Sequence, residues 1–104
     1  METSIDGYAI LDRFGKFMEV NAALTTITDY SNDQLLGRSI FELVVSTDLA
    51  QAELLSSWMA HQKTKNFQQW KRRSGDHIDV QISISYFAHG EGQFFVFVQA
   101  LLHE

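Results

Sequence analysis

The chain has 104 residues, 45% of them apolar and 20% charged, which is the composition of one globular domain able to bury about two thirds of its unfolded surface. A net charge of −5 disfavours a nucleic-acid backbone as the main partner, and Lys71-Arg72-Arg73 is the only basic cluster. Zero cysteines removes disulfides, thiolate nucleophiles, cysteine-ligated zinc and iron–sulfur centres.

No apolar run is long enough to span a membrane, and the polar opening METSIDG lacks a secretory h-region. These features lead us to expect a single cytoplasmic domain over residues 1–104, complete or cut from a longer chain.

In chain order, Tyr8–Asp12 and Lys16–Val20 read as short strands joined by a tight turn, opened by Asp12 and completed by Gly15. Asn21 precedes Ala22-Ala-Leu24 as an N-cap, and the threonine-rich segment to Thr28 is a weak helix. Ser31 with Gln34, and Ser39 with Glu42, repeat the capping-box spacing over two very short helices. Helices of that length are not stable alone, so their caps predict a redirected chain that lays Leu35, Leu36, Ile40 and Phe41 over a sheet. Ser46, Thr47 and Asp48 offer the start of a longer helix running to about Gln62. Its apolar face is expected at Ala52, Leu55 and Met59, flanked by Leu54 and Trp58, with Trp58 and Met59 in the core.

Asn66–Arg73 reads as a strand with its turn at Ser74-Gly75-Asp76. Ile78, Val80, Ile82, Ile84 and Tyr86 alternate with polar residues and predict one dry strand face. After His89–Gly92, Phe94–Val98 is apolar on both faces, which places it centrally in the sheet with a second cover on its outer side. Two strands, a helical block and three strands make an α+β domain with the helices on one face.

Asp6–Asp12, Gly15–Asn21, Thr28–Ser31 with Leu35-Leu36-Gly37, and Arg72–Gly75 together resemble the PAS domain family across nearly the whole chain. The resemblance implies a five-stranded antiparallel sheet in which the first and last strands pair centrally, with short helices and one longer helix on one face. It also implies a non-catalytic sensory or regulatory module of a signal-transduction protein such as a two-component system, sensing a small ligand or mediating dimerisation. The end Gln99–Glu104 departs from the aspartate-threonine signature with which many members join the next module.

No Gly-x-Ser-x-Gly elbow or phosphate loop occurs, so catalysis is not expected. His61, His77, His89 and His103 are scattered and form no helical metal pair. His61, in the last turn of the long helix, lies C-terminal of the haem ligand in haem-binding relatives, which weighs against haem. Gln99 falls at the position of the glutamine that meets the isoalloxazine edge in light-sensing LOV-type members. Without their cysteine only a redox or structural flavin stays open. Asn66, Gln68 and Trp70 share one strand face and, if helix-covered, suit a heteroaromatic or other small ligand. Tyr30 and Phe41 are candidate pocket-wall residues, although an aromatic placed like Tyr30 before a capped turn is more often an anchor, here against Leu35 or Leu36. The ligand itself is left unidentified, and a pocket closed by side chains is the third alternative. The partner expectation is a homodimer or an intramolecular contact through the outer sheet face near Phe94–Val98.

Overall fold

The computed structural model describes residues 6–45, 50–61 and 63–101. The elements are β1 (Asp6–Asp12), β2 (Phe17–Val20), α1 (Ala22–Thr28), α2 (Asn32–Leu35), a single 3-10 turn at Ile40–Glu42, α3 (Gln51–Ala60), β3 (Lys63–Lys71), β4 (His77–Phe87) and β5 (Gln93–Ala100). The strands form one antiparallel five-stranded sheet in the order β2-β1-β5-β4-β3. The two-faced apolar run is therefore the central strand, as its composition predicts, and the first and last strands are neighbours.

Local chemistry sets each reversal. Asp12 Oδ1 accepts from the backbone N–H groups of Phe14 and Lys16, 2.9 and 3.0 Å away, and Gly15 follows at φ 88°. Along β1 and β2 the partners step from Ile10–Glu19 to Leu11–Phe17, leaving Met18 as the extra residue of a bulge. Asn21 caps α1 by accepting from Leu24 N–H at 3.1 Å, and the same oxygen accepts from Tyr8 N–H at 3.0 Å. One amide thus ties helix to hairpin.

Both predicted capping boxes form. Ser31 and Gln34 exchange bonds of 3.2 and 2.9 Å, and Ser39 accepts from Phe41 N–H at 3.1 Å while Glu42 accepts from Ser39 N–H at 3.4 Å. Their role follows from what lies on either side. Before the 3-10 turn, Phe17 N–H donates to Arg38 O at 3.0 Å and Gly37 N–H to Phe17 O at 2.9 Å, against the free edge of β2. After it, Val45 N–H donates to Gln69 O at 2.9 Å and Lys71 N–H to Leu43 O at 2.7 Å, against the free edge of β3. The short turns form a strap from one sheet edge to the other, covering backbone that would otherwise invite another chain.

Beneath the strap lies one core. Ala9 and Leu11 of β1, Val80, Ile82 and Ile84 of β4, and Phe94, Val96 and Val98 of β5 face Leu24, Leu35, Ile40 and Trp58. Gly7 is where α1 comes closest, since a Cβ there would stand 2.9 Å from Leu24 Cδ1 and 3.3 Å from Leu24 Cα.

Four expectations need correction or limits. Ser46, Thr47, Asp48 and Gln62 lie outside the described residues, and the described helix is Gln51–Ala60, its first turn held by Glu53 accepting from Ala50 N–H at 3.1 Å. The inward stripe of α3 is Leu54, Leu55 and Trp58; Ala52 is exposed and Met59 is 36% exposed, because seating the indole turns the helix away from them. Leu36 is 40% exposed, since it ends α2 in an extended conformation that turns its side chain outward. Finally, β3 begins at Lys63 and ends at Lys71, because the eleven-residue β4 offers ladder partners to Lys63, Thr64 and Lys65 that their own composition does not announce.

Candidate functional site

Strand β3 carries Thr64, Asn66, Gln68 and Trp70 on its helix-covered face, opposite Ile84, Ile82, Val80 and Ile78 of β4. Asn66 and Gln68 are half-buried and Trp70 is fully buried. The Trp70 indole N–H donates to Gln68 Oε1 at 2.9 Å, so two of the three candidates are engaged with each other and the indole N–H is satisfied. Thr64 Oγ1, on the same stripe, is buried without a hydrogen-bond partner.

Aromatic rings pack against one another between the helices and the sheet. Phe41 stacks on Trp58 with centroids 5.5 Å apart and planes 14° apart. Trp58 meets Phe94 edge-on at 5.8 Å, and Phe94 touches Tyr86 at 4.9 Å. Phe41 is thus a wall residue whose ring is spent on Trp58. Tyr30, half-buried against the core, lies under the Arg38 guanidinium, 4.5 Å from its ring centre, and Arg38 pairs with Glu42 at 2.9 Å.

Gln99 is not part of this group. It pairs with Gln81 and Asp6 across the sheet and is exposed on the opposite, outer face. The structure therefore brings Asn66, Gln68 and Trp70 together and separates Gln99 from them by the thickness of the sheet.

That outer face, where the two-sided Phe94–Val98 run led us to expect a contact, carries an ordered set of rows. Across β1, β5, β4 and β3, one row reads Asp6, Gln99, Gln81 and Phe67, and the next reads Tyr8, Phe97, Ser83 and Lys65. A third row, extended by Glu19 of β2, reads Ile10, Phe95, Ser85 and Lys63. Phe97 is 57% exposed and packs on Tyr8 at 5.5 Å, while Phe95 meets Phe87 at 4.8 Å. Phe67 is 72% exposed. An aromatic ridge on β5 thus borders a trough floored by Ser83 and Ser85, with concavities of about 310 and 420 Å³ along it. The two-sided run of β5 signals the ridge, whereas the floor is the polar phase of β4, which reads as ordinary solvated strand.

A tie at the far end joins β3–β4 to α1. Arg72 Nε donates to Ile27 O at 3.0 Å and its Nη1 to Asp76 at 3.1 Å. Ser74 O–H donates to Asp76, and this bond, with the Asp76 backbone N–H and then Arg72, holds the carboxyl below the usual aspartate value.

The sequence profile of the PAS fold family matches residues 1–101. The chain belongs to the PAS family. Its structure is similar to that of a PAS domain from a two-component sensor histidine kinase, with TM-score 0.80 and 21% identity over 93% of this chain and 86% of that one. It is also similar to the PAS domain of an HTR-like protein from Haloarcula marismortui, with TM-score 0.77 and 26% identity over 92% and 81% of the two chains. A domain of a sensory box sensor histidine kinase/response regulator from Geobacter sulfurreducens matches with TM-score 0.76 and 24% identity, over 92% and 82%. No curated protein matches the chain. This PAS domain is a sensory or regulatory module of a non-catalytic family. Among the described residues no helix is long and apolar enough to cross a membrane.

The residues of this PAS domain do not fit a flavin in the arrangement the resemblance implies. Gln99 faces away from the helices, and Phe41, Trp58 and Phe94 occupy one another's faces and edges where a flat ring system would stack. His61 ends α3 on the surface, its Nδ1 2.9 Å from Ser57 O, a helix-end contact rather than a pocket ligand.

Proposed function

We propose that this PAS domain is a cytoplasmic module of a longer signalling protein and acts through the outer face of its sheet. In this reading it pairs there with a second copy or with an adjoining segment of the same protein. The observation that carries this is the central strand itself, where Phe94 is 0% exposed on the helix-covered face and Phe97 is 57% exposed on the other. An aromatic ridge of Phe97, Phe95, Tyr8 and Phe87 is the composition of an interface core, and it lies on the strand that touches both halves of the sheet. A change in the packing of Trp58 on Phe94 reaches that ridge through a single strand. The origin of similar structures in sensor kinases supports the signalling setting, and a cysteine-free chain suits a reducing compartment.

Replacing Phe97 with Glu tests the reading. The variant is expected to keep its fold, seen as an unchanged circular dichroism spectrum, and to lose pairing, seen as a lower mass or as lost output of the signalling protein that carries it. Unchanged mass and output would refute it.

A second role rests on Thr64 Oγ1, a buried acceptor and donor without a partner beside the half-buried Asn66 amide. It supports a small polar ligand at the inner face of β3. Native mass spectrometry of freshly purified protein should then show an adduct that Thr64→Val removes; the bare chain mass in both would contradict it.

A further inference from the structure

The strap covers only part of the β3 edge. Arg72 N–H donates to Asp76 O at 2.8 Å, which puts the even-numbered residues of β3 in the hydrogen-bonded pairs with β4. The backbone groups of Lys63, Lys65, Phe67, Gln69 and Lys71 therefore point away from β4, toward the edge of the sheet. The strap takes Gln69 O and Lys71 N–H. Among the described residues, nothing pairs with the edge at Lys63, Lys65 and Phe67.

The side chains of the same three residues are exposed, Phe67 by 72%. Five of the chain's eight lysines and arginines lie from Lys63 to Arg73, a stretch without one carboxylate in a chain of net charge −5. Arg72 is engaged with Asp76 and Ile27 O. Across the ladder, Lys63, Lys65 and Phe67 stand opposite Ser85, Ser83 and Gln81, so β4 offers the two lysines no counter-charge. Among the described residues neither lysine is in an ion pair. We propose that this part of the edge receives an added strand from a different, acidic polypeptide. Its carboxylates would stand opposite Lys63 and Lys65, and an apolar side chain opposite Phe67.

Lysine on an edge strand ordinarily keeps other strands away. Here it selects as well as excludes. A second copy of β3 laid antiparallel and centred on Lys65 would set that lysine against itself, and like charges directly opposite are unfavourable. A neutral strand would gain the backbone bonds and leave both lysines crowded without a counter-charge. An acidic strand gains the same bonds and two cross-strand ion pairs, so the backbone supplies affinity and the lysines supply specificity. A nucleic acid fits less well, because the net charge opposes a phosphate backbone and the edge alternates N–H with C=O, which only another strand can match. This site is independent of the outer-face reading, since β4 separates it from the Phe95–Phe97 ridge.

The test titrates a short synthetic peptide, blocked at both ends, into the isotope-labelled whole chain. The peptide carries glutamates to stand opposite Lys63 and Lys65, a valine to stand opposite Phe67, and threonines between. The amides of Lys63, Lys65 and Phe67 should shift and exchange hydrogen about tenfold more slowly, because their N–H groups gain acceptors. Those of Asn66 and Gln68, which face β4, should keep their exchange rates. Replacing both glutamates with glutamine should weaken binding about tenfold, as should Lys63→Gln combined with Lys65→Gln, with the fold intact because both side chains are exposed. A peptide N-methylated at the amides that face β3 keeps its charges but loses the backbone bonds, and should also bind at least about tenfold more weakly. Equal binding of the N-methylated peptide would refute strand addition, and equal binding of the glutamine peptide would refute an acidic partner. Shifts centred on Phe95 and Phe97 would place the peptide on the outer face and overturn the edge site. No shift at millimolar peptide, or tighter binding of a single-stranded oligonucleotide at the same residues, would overturn the proposal as a whole.

Discussion

The two faces of β5 make a comparison within eight residues. Phe94, Val96 and Val98 pack under the helices and are sealed, while Phe95 and Phe97, on the alternate positions, stand on the outer face with Tyr8 and Phe87. The same residue type in the same strand therefore serves the domain's own stability on one side and is left available on the other. Apolar character alone does not say which; the strap and helices, anchored at both sheet edges, decide it.

The largest expected effect separates the faces by stability. Phe94→Ala should cost about 3–5 kcal/mol, because it removes the ring that Trp58 and Tyr86 both pack on. Phe97→Ala should cost less than about 1 kcal/mol in the monomer. Urea denaturation of both at low concentration makes the comparison, and equal losses would break it.

Next comes the closeness of the helical cover. Gly7→Ala pushes a methyl to 2.9 Å from Leu24 Cδ1 and against the α1 backbone, so a loss of about 1–3 kcal/mol is expected. A neutral result would mean that α1 rides higher on the sheet than described. Asn21→Ala should cost about 1–2 kcal/mol, since it strips the cap of α1 and also leaves Tyr8 N–H without its acceptor. Hydrogen exchange at Tyr8 and Leu24 should quicken together in that variant.

The smallest effect is a pH dependence at the exposed hairpin. Asp76 binds its proton less readily in the folded chain than in the unfolded one. Its contribution is therefore complete above the ordinary aspartate value and is lost as pH falls through the lowered folded value. Asp76→Asn should flatten the acid limb of the stability profile slightly, and an unchanged limb would contradict the assignment.

Much of this architecture is legible in the residues. Strict alternation over Ile78–Tyr86 specifies β4, the caps at Asn21, Ser31 and Ser39 specify where the chain turns, and two-sided apolarity places β5 in the centre. The same two-sidedness hides the phase of β5. In a run apolar on both faces, only the cross-strand partners Ala9 and Ile84 of Val96 show which residues point inward, and so Gln99 belongs to the outer face. The stripe of α3 is ambiguous for a similar reason, because apolar residues at Ala52, Leu54, Leu55, Trp58 and Met59 surround much of one short helix. Of the candidate ligand residues, Asn66, Gln68 and Trp70 share the helix-covered face that their alternation requires. The Trp70–Gln68 bond that occupies two of them is a matter of rotamers, which spacing does not encode.

The contrast between the faces is tested most directly by isoleucine methyl NMR spectra recorded from dilute to concentrated protein. Ile10 lies on the outer face beside Phe95, whereas Ile82 and Ile84 lie on the sealed face. The account predicts that the Ile10 methyl shifts with concentration as the rings of a second copy approach, while Ile82 and Ile84 stay in place. Movement of Ile82 and Ile84 with Ile10 unchanged would contradict it.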